Sequence, residues 1–334
     1  MAGHLRRRIV PFLALLGMLG LIPGAAGAVG HGAPAGSGVR TVFLIVLENH
    51  SWSQIKGNTR DAPYINRVLL PQAAHAEQAF SPLGNHPSET NYLWLEGGTN
   101  FGVHTDDDPG VNHQSTSAHL VALLTKAGIT WRSYQEDISG TDCPLTKRGH
   151  YVPRHNPMVY FDDVTGGTSR ASATCIAHVR PFSELASDLS RSTVARYNFI
   201  TPNLCHDMHG LLLTTPSCLV ANRHGLIHAG DSWLAHAVPP ILSSAAYKQG
   251  GVLLITWDEG SCPLLQKIER EAQCGDGPMG LLVLSPAAKP GYANAIHYTH
   301  SSTLRTVQEI FGVTPLLGDA KNATDLRDLF TQFP

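Results

Sequence analysis

Two apolar runs constrain this chain most. Thr41-Val-Phe-Leu-Ile-Val-Leu47 and Gly251-Val-Leu-Leu-Ile-Thr-Trp257 are short, rich in branched side chains and free of regular polar alternation. Such runs read as strands covered on both faces, as in a parallel sheet between helical layers. Each breaks off at a polar pair, Glu48-Asn49 in one case and Asp258-Glu259 in the other. Open α/β sheets gather ligands beyond the carboxyl ends of their strands, so the two pairs are expected on one rim. Three carboxylates and an amide brought together repel one another unless a cation neutralises them. A hard-metal site is therefore the first functional expectation.

Around these runs the chain alternates helical and extended patterns. Helices are expected at 62–70, 88–96, 115–127, 183–190, 231–242 and 301–311, and further strands at 74–80, 129–134, 197–201 and 280–285. Pro87 before a Ser-led stretch suits a helix start, and Gly128 and Gly312 suit helix ends. The alternation predicts an α/β fold, a three-layer α/β/α sandwich with a mainly parallel central sheet. No repeat or linker divides residues 41–334, which read as one domain after a flexible segment at 29–40.

Residues 1–28 have the form of a secretory signal: Arg6-Arg7-Arg8, an apolar stretch from Ile9 to Ile22, then small residues up to Ala28. Arg6-Arg7 before Ile9-Val10 also fits a loose twin-arginine pattern. No segment reads as a stable membrane span, so a secreted protein is expected. Six cysteines suit an oxidising compartment. Many connectivities are open; the sequence-local one pairs Cys143 with Cys175, Cys205 with Cys218 and Cys262 with Cys274, the last bracing the loop after Glu259. A net charge of −2 with eighteen histidines gives no basic stripe for nucleic acid. Nothing in the composition sets an oligomeric state.

Ser88 is the candidate nucleophile. It opens a helix, where free N–H groups and the helix dipole favour an incoming phosphate, and Asn91 lies one turn on, on the same face. His86 flanks them. The alternative is that Ser88 merely caps the helix. His206, Asp207 and His209 follow the strand at 197–201, and His300 opens the last helix.

Six blocks in order, Leu47-Glu-Asn-His50, His86-Pro-Ser-Glu-Thr-Asn-Tyr92, Arg154-His-Asn-Pro157, Thr201-Pro-Asn-Leu-Cys-His-Asp-Met-His209, Ile255-Thr-Trp-Asp-Glu-Gly260 and His300-Ser-Ser-Thr-Leu-Arg-Thr306, resemble the secreted bacterial phosphoesterase family that contains acid phosphatases and phospholipases C. The resemblance implies an alkaline-phosphatase-like fold. It also implies one divalent ion held by Glu48, Asn49, the Ser88 oxygen, Asp258 and Glu259. Oxygen ligands favour magnesium, calcium or manganese, with zinc as the alternative. Asn91, His206, Asp207, His209 and His300 take catalytic roles in this reading, with His86, Arg154 and His155 against substrate phosphate. His209 and His300 are expected to bind phosphate oxygens as cations, giving an acidic optimum. Trp131, Tyr134 and Glu136 also recur but are assigned to packing. Gln308 departs from the Glu of many relatives, and the Asp-rich 105–109 stretch matches no block.

The expected activity is a metal-dependent acid phosphatase acting on small monoesters through a phosphoserine. Alternatives are a phospholipase C-type diesterase or a phosphatase of phosphoinositide or other phospholipid head groups; a lipid diesterase would need an apolar entrance or an added module, and none is evident. A different class is a non-catalytic binding protein on the same scaffold, which would normally have lost the nucleophile or a metal ligand.

Overall fold

In the computed structural model, which describes residues 38–261 and 277–333, the two apolar runs are strands β1 (Thr41–Leu47) and β6 (Gly251–Trp257), and every residue of both is buried. The other strands are β2 (Ala74–Phe80), β3 (Trp131–Gln135), β4 (Val179–Pro181), β5 (Tyr197–Thr201), β7 (Met279–Leu284) and β8 (Ala293–Thr299). They form one sheet in the order β4-β3-β5-β1-β6-β7-β2-β8. Only β7 runs against its neighbours β6 and β2. Burial of β1, β5, β6 and β7 along their whole length requires cover on both faces, as the unalternating sequences of β1 and β6 predicted. Each buried branched side chain contributes at most about 1.5–3 kcal/mol.

The register of the central pair positions everything that follows. β1 and β6 are parallel and paired from Thr41↔Gly251 to Leu47↔Trp257 without a slip, and the Asp258 N–H continues the ladder to the Leu47 carbonyl at 2.9 Å. Glu48 and Asp258 therefore leave the sheet side by side. β5, on the other side of β1, brings residues 202–209 to the same rim.

The sequence-based elements hold with instructive exceptions. Strands β4 and β8 have no counterpart among the expected elements: β4 is three residues long, and β8 is an edge strand with mostly exposed side chains, so neither carries an apolar run. The helix expected at 231–242 spans Arg223–Ser243, its first turn capped by the Asn222 side chain accepting from the Gly225 N–H at 3.0 Å. Gly230, inside this longer helix, is needed there: a Cβ would lie 2.5 Å from Met208 Cγ and 3.1 Å from the His206 carbonyl oxygen. That close approach seats the helix on the loop carrying Asp207. Gln308 is buried and uses both ends of its amide, donating to the Pro315 carbonyl at 2.8 Å and accepting from the Leu317 N–H at 2.9 Å; an ionised Glu would lack the donor.

Cys143 pairs with Cys175 and Cys205 with Cys218. Cys262 and Cys274, like the expected signal segment at 1–28 and most of 29–40, lie outside the described residues.

The helix expected at 115–127 begins only at Leu120, because His119 turns inward. Its Nδ1 lies 3.2 Å from Glu96 Oε1, near the end of the Ser88 helix, and its Nε2 lies 3.0 Å from Asp163 Oδ1. The ring stacks on Phe161 at 3.8 Å, and Glu96 Oε1 also accepts the Val121 N–H at 2.6 Å. Burial pushes the His119 pKa down, but the two carboxylates outweigh it and raise it to about 9. Burial raises Glu96 in turn, which offsets part of the gain. A raised histidine stabilises below its unfolded pKa and loses that contribution as pH rises through the folded value. We expect the wild type to lose on the order of 1–2 kcal/mol more than His119→Gln between about pH 6 and pH 10, measured by urea unfolding.

Candidate active site

Glu48 sits at the centre of the rim and is fully buried. Its Oε1 accepts from the Tyr92 hydroxyl at 2.6 Å, and its Oε2 accepts from the Ser88 hydroxyl at 3.2 Å. Ser88 is the first residue of a helix spanning Ser88–Gly97 whose cap position is Pro87. It is therefore not the capping residue: its hydroxyl points to Glu48. Ser88, Asn91 and Tyr92 are spaced by a turn and share the face turned to the site. The Asn91 amide donates to the Asn85 carbonyl at 2.9 Å and to Glu259 Oε2 at 3.1 Å.

Asn49 adopts a left-handed conformation, φ 37°, which asparagine tolerates better than most residues. This turns its backbone N–H to Asp258 Oδ1 at 3.0 Å and its amide Nδ2 to Glu259 Oε1 at 2.6 Å. His86 Nδ1 meets Glu259 Oε2 at 2.6 Å. The two polar pairs and the start of the Ser88 helix thus form one connected cluster.

On the opposite side of Glu48, His155 Nδ1 lies 3.1 Å from Asp207 Oδ2, and its Nε2 lies 3.2 Å from Glu48 Oε1. The Asp207 carbonyl accepts the Glu48 N–H at 2.7 Å. Burial and repulsion from Asp258 and Asp207 push Glu48 well above the usual carboxylate range. Burial does the same to Asp207 and Asp258, reinforced at Asp258 by Glu259. Burial drives His155 the other way, so its ring is neutral.

Three potential metal-ligand atoms of this cluster are buried without hydrogen-bond geometry to any partner: Asn49 Oδ1, Asp258 Oδ2 and His155 Nε2, the last of which faces Glu48 Oε1 at 3.2 Å. Buried polar atoms are normally satisfied, and carboxylates this close are costly while ionised. Orphaned donors beside raised carboxylates fit a bound cation. The buried group Glu48, His155 and Asp207 brings ligand atoms within 4.8 Å of one another and can hold a metal ion.

The remaining expected residues fall around this centre. His209 donates its backbone N–H to Asp207 Oδ1 at 2.7 Å, and its Nδ1–H reaches the Gly210 carbonyl at 2.8 Å. His206 turns to Glu136, 2.9 Å away, rather than to the Glu48 cluster. His300 differs most from expectation. It is fully buried, its Nε2 bonds the Asp258 carbonyl, and burial lowers its pKa to about 4, so the ring is neutral rather than cationic. Arg154 has a buried Nε 3.6 Å from Asp106 Oδ2.

Tyr92, Glu136 and Asp106 were not among the expected site residues. Tyr92 was within reach, since it follows Ser88 by one helical turn. Asp106, from the unassigned Asp-rich stretch, accepts the Glu89 N–H at 3.0 Å in the first turn of the Ser88 helix, a contact no local pattern announces.

Residues 69–314 match the Phosphoesterase family. The chain belongs to that family. It is accordingly a hydrolase of phosphoric esters. It is 29% identical to a phosphatidylinositol-3-phosphatase of Mycobacterium tuberculosis, over 97% of this chain and 95% of that protein. It is 27% identical to a probable acid phosphatase of Kluyveromyces lactis, over 67% of this chain. This phosphoesterase spans about half the length of that fungal relative, 48%. In fold it is similar to an alkaline phosphatase superfamily protein of Vibrio parahaemolyticus, with a TM-score of 0.55 at 10% identity, covering 88% of this chain and 72% of the other.

The Tyr92 hydroxyl bond to Glu48 is buried and charge-assisted when Glu48 is ionised. Tyr92→Phe is expected to cost about 1.5–3 kcal/mol in unfolding free energy, read by urea denaturation with divalent metal present.

Proposed function

We propose that this phosphoesterase is a secreted, metal-dependent acid phosphatase that hydrolyses phosphate monoesters through a phosphoserine at Ser88. The observation that carries the reading is the Ser88 hydroxyl, at a helix start and bonded to Glu48 within a buried cluster of carboxylates and orphaned donor atoms. The acid phosphatase and phosphatidylinositol-3-phosphatase relatives are both named for releasing phosphate from a monoester, which favours a monoesterase over a diesterase. Disulfides support an exported chain.

Glu48, Asn49, Ser88, Asp258 and Glu259 would hold the divalent ion, with His155 as a nitrogen donor on the far side of Glu48; the mixed set admits manganese or zinc beside magnesium and calcium. The bound ion would supply Lewis-acid stabilisation of phosphoryl charge and a more acidic serine hydroxyl.

The chain's own residues do the rest. Ser88 Oγ attacks phosphorus, and its proton has Glu48 Oε2 as nearest acceptor. The leaving alcohol departs with a proton, for which His209 is the donor proposed. Water then cleaves the Ser88–phosphorus bond and releases phosphate. Asn91, with both amide hydrogens on the Asn85 carbonyl and Glu259 Oε2, would act by holding Glu259 in place, as would His86 on the same carboxylate, and Arg154 would add positive charge near the phosphoryl oxygens. His206 and Asp207 support this side of the site, Asp207 by orienting the His155 ring. His300 holds the Asp258 peptide, so its part is positioning.

Ser88→Ala is expected to lower release of phosphate from p-nitrophenyl phosphate at least about a thousandfold while changing stability by no more than about 1 kcal/mol. Radiolabelled phosphate trapped on any other residue would overturn the assignment. Asp258→Asn is expected to weaken divalent-ion binding at least about tenfold by calorimetry and to reduce the rise in Tm that the ion produces. Full activity in protein shown by elemental analysis to be metal-free would remove the ion from the mechanism.

A further inference from the structure

The Asp-rich stretch Thr105-Asp-Asp-Asp-Pro109, which no step of the proposed chemistry uses, is bound to the residue next to Ser88. The Asp106 carboxylate faces two donors: Oδ1 accepts the Glu89 N–H at 3.0 Å, and Oδ2 lies 3.6 Å from Arg154 Nε. The Ser88–Gly97 helix has Pro87 at its cap position and no side-chain cap bond there, so Asp106 supplies an acceptor to its first turn from outside the helix. The second oxygen is left for the guanidinium. One carboxylate therefore sets Arg154 beside the helix start that carries Ser88.

Both sides of this contact are held in place. The Asn112 amide donates to Glu89 Oε1 at 2.9 Å and to Thr105 Oγ1 at 3.1 Å, and the buried Tyr160 donates its hydroxyl to the Asp107 carbonyl at 3.0 Å. The loop that presents Asp106 is thus tied to the Ser88 helix and to a buried tyrosine. Arg154 precedes His155, whose ring lies against Glu48 and Asp207. Burial raises the pKa of Glu48, Asp207 and Asp108, and the Arg154 charge works against the rise at all three. The guanidinium therefore lies between the carboxylate cluster and the Asp-rich loop. Its Nε is buried without a hydrogen bond, so Asp106 attracts the cation without saturating it. With side chains 20% and 36% exposed, such a pair adds little to stability; what it decides is where the cation sits.

We propose that Asp106 is a positioning residue for substrate phosphate, holding the Arg154 guanidinium at the helix start, where it meets the phosphoryl oxygens of a monoester bound at Ser88. The place of the phosphate rests on the phosphatase reading above. By charge alone a carboxylate beside an anion site repels phosphate, so its removal would tighten binding; a positioning role has the opposite sign. Asparagine separates the two duties of the carboxylate. It caps a helix about as well as aspartate, but with its oxygen on the Glu89 N–H it turns an NH2 donor, and no charge, toward Arg154.

Binding of inorganic phosphate to the protein with divalent metal present is measured by calorimetry, and hydrolysis of p-nitrophenyl phosphate by its kcat and KM. Asp106→Asn is expected to weaken phosphate binding at least about fivefold and to raise KM by a similar factor, with a smaller change in kcat. Its Tm is expected to stay within about 2 °C of the native chain. In an Arg154→Ala background, Asp106→Asn is expected to leave phosphate affinity unchanged or tighter, because the cation it positions is gone. Should Arg154→Ala lose the native Tm, the same comparison is made in Arg154→Gln. Native or tighter phosphate binding by Asp106→Asn, with native KM, overturns the proposal and leaves Asp106 as a helix cap, whatever the fate of the phosphatase reading. An equal weakening by Asp106→Asn when Arg154 is absent overturns it too. Weakening that depends on Arg154, in a chain that does not hydrolyse p-nitrophenyl phosphate, would uphold the positioning role and refute the phosphatase reading. A native chain with neither phosphate binding nor hydrolysis refutes both.

Discussion

The in-register parallel pairing of β1 with β6 is the constraint on which the rest of the active site depends. Successive side chains of a strand alternate faces, so a slip of one residue would turn the terminal polar pairs to opposite sides. With Leu47 opposite Trp257, Glu48 and Asp258 instead emerge together, and the Asn49 backbone can bond the Asp258 carboxylate. The unbroken burial of both strands holds this register, because either strand displaced would expose branched side chains on both faces of the sheet.

What the pairing assembles is electrostatically unfavourable in isolation. Burial raises the pKa of Glu48, Asp207 and Asp258, and the charge of Asp258 adds to the rise at both Glu48 and Asp207, so stability there depends on partners from distant parts of the chain. Tyr92, His155 and Ser88 reach Glu48 from the helix and loop that flank the sheet, while Asn49, His86 and Asn91 converge on Glu259. A site so arranged concentrates negative oxygen around a few orphaned donor atoms. Such an environment suits a cation, and a cation beside a helix start would suit an anionic substrate.

Two buried histidines show how far surroundings govern the outcome. His119, between Glu96 and Asp163, is held charged well into alkaline pH. His300, equally buried but facing a backbone carbonyl, is held neutral. The first ties the end of the Ser88 helix to its neighbours; the second steadies the strand end that bears Asp258. Both support the catalytic framework from behind it.

Much of this was legible in the sequence. The strands β1 and β6 announced themselves by unalternating apolar runs, β5 and β7 by short extended segments, the Ser88 helix by His86-Pro87-Ser88, and the Glu48-Asn49 and Asp258-Glu259 pairs by their abrupt position at strand ends. These are local signals, set by periodicity and by residue type. The edge strands β4 and β8, the late start of the helix at Leu120, the Asp106 contact with Glu89 and the charge states of His119 and His300 were not legible. Each depends on a partner far away in the chain, and burial that decides a pKa or a helix start exists only once those partners have packed. The sequence by itself determined which oxygen-bearing residues stand at the ends of the central strands; the tertiary structure decided which of their atoms lie bonded and which remain directed, unpartnered, into the site.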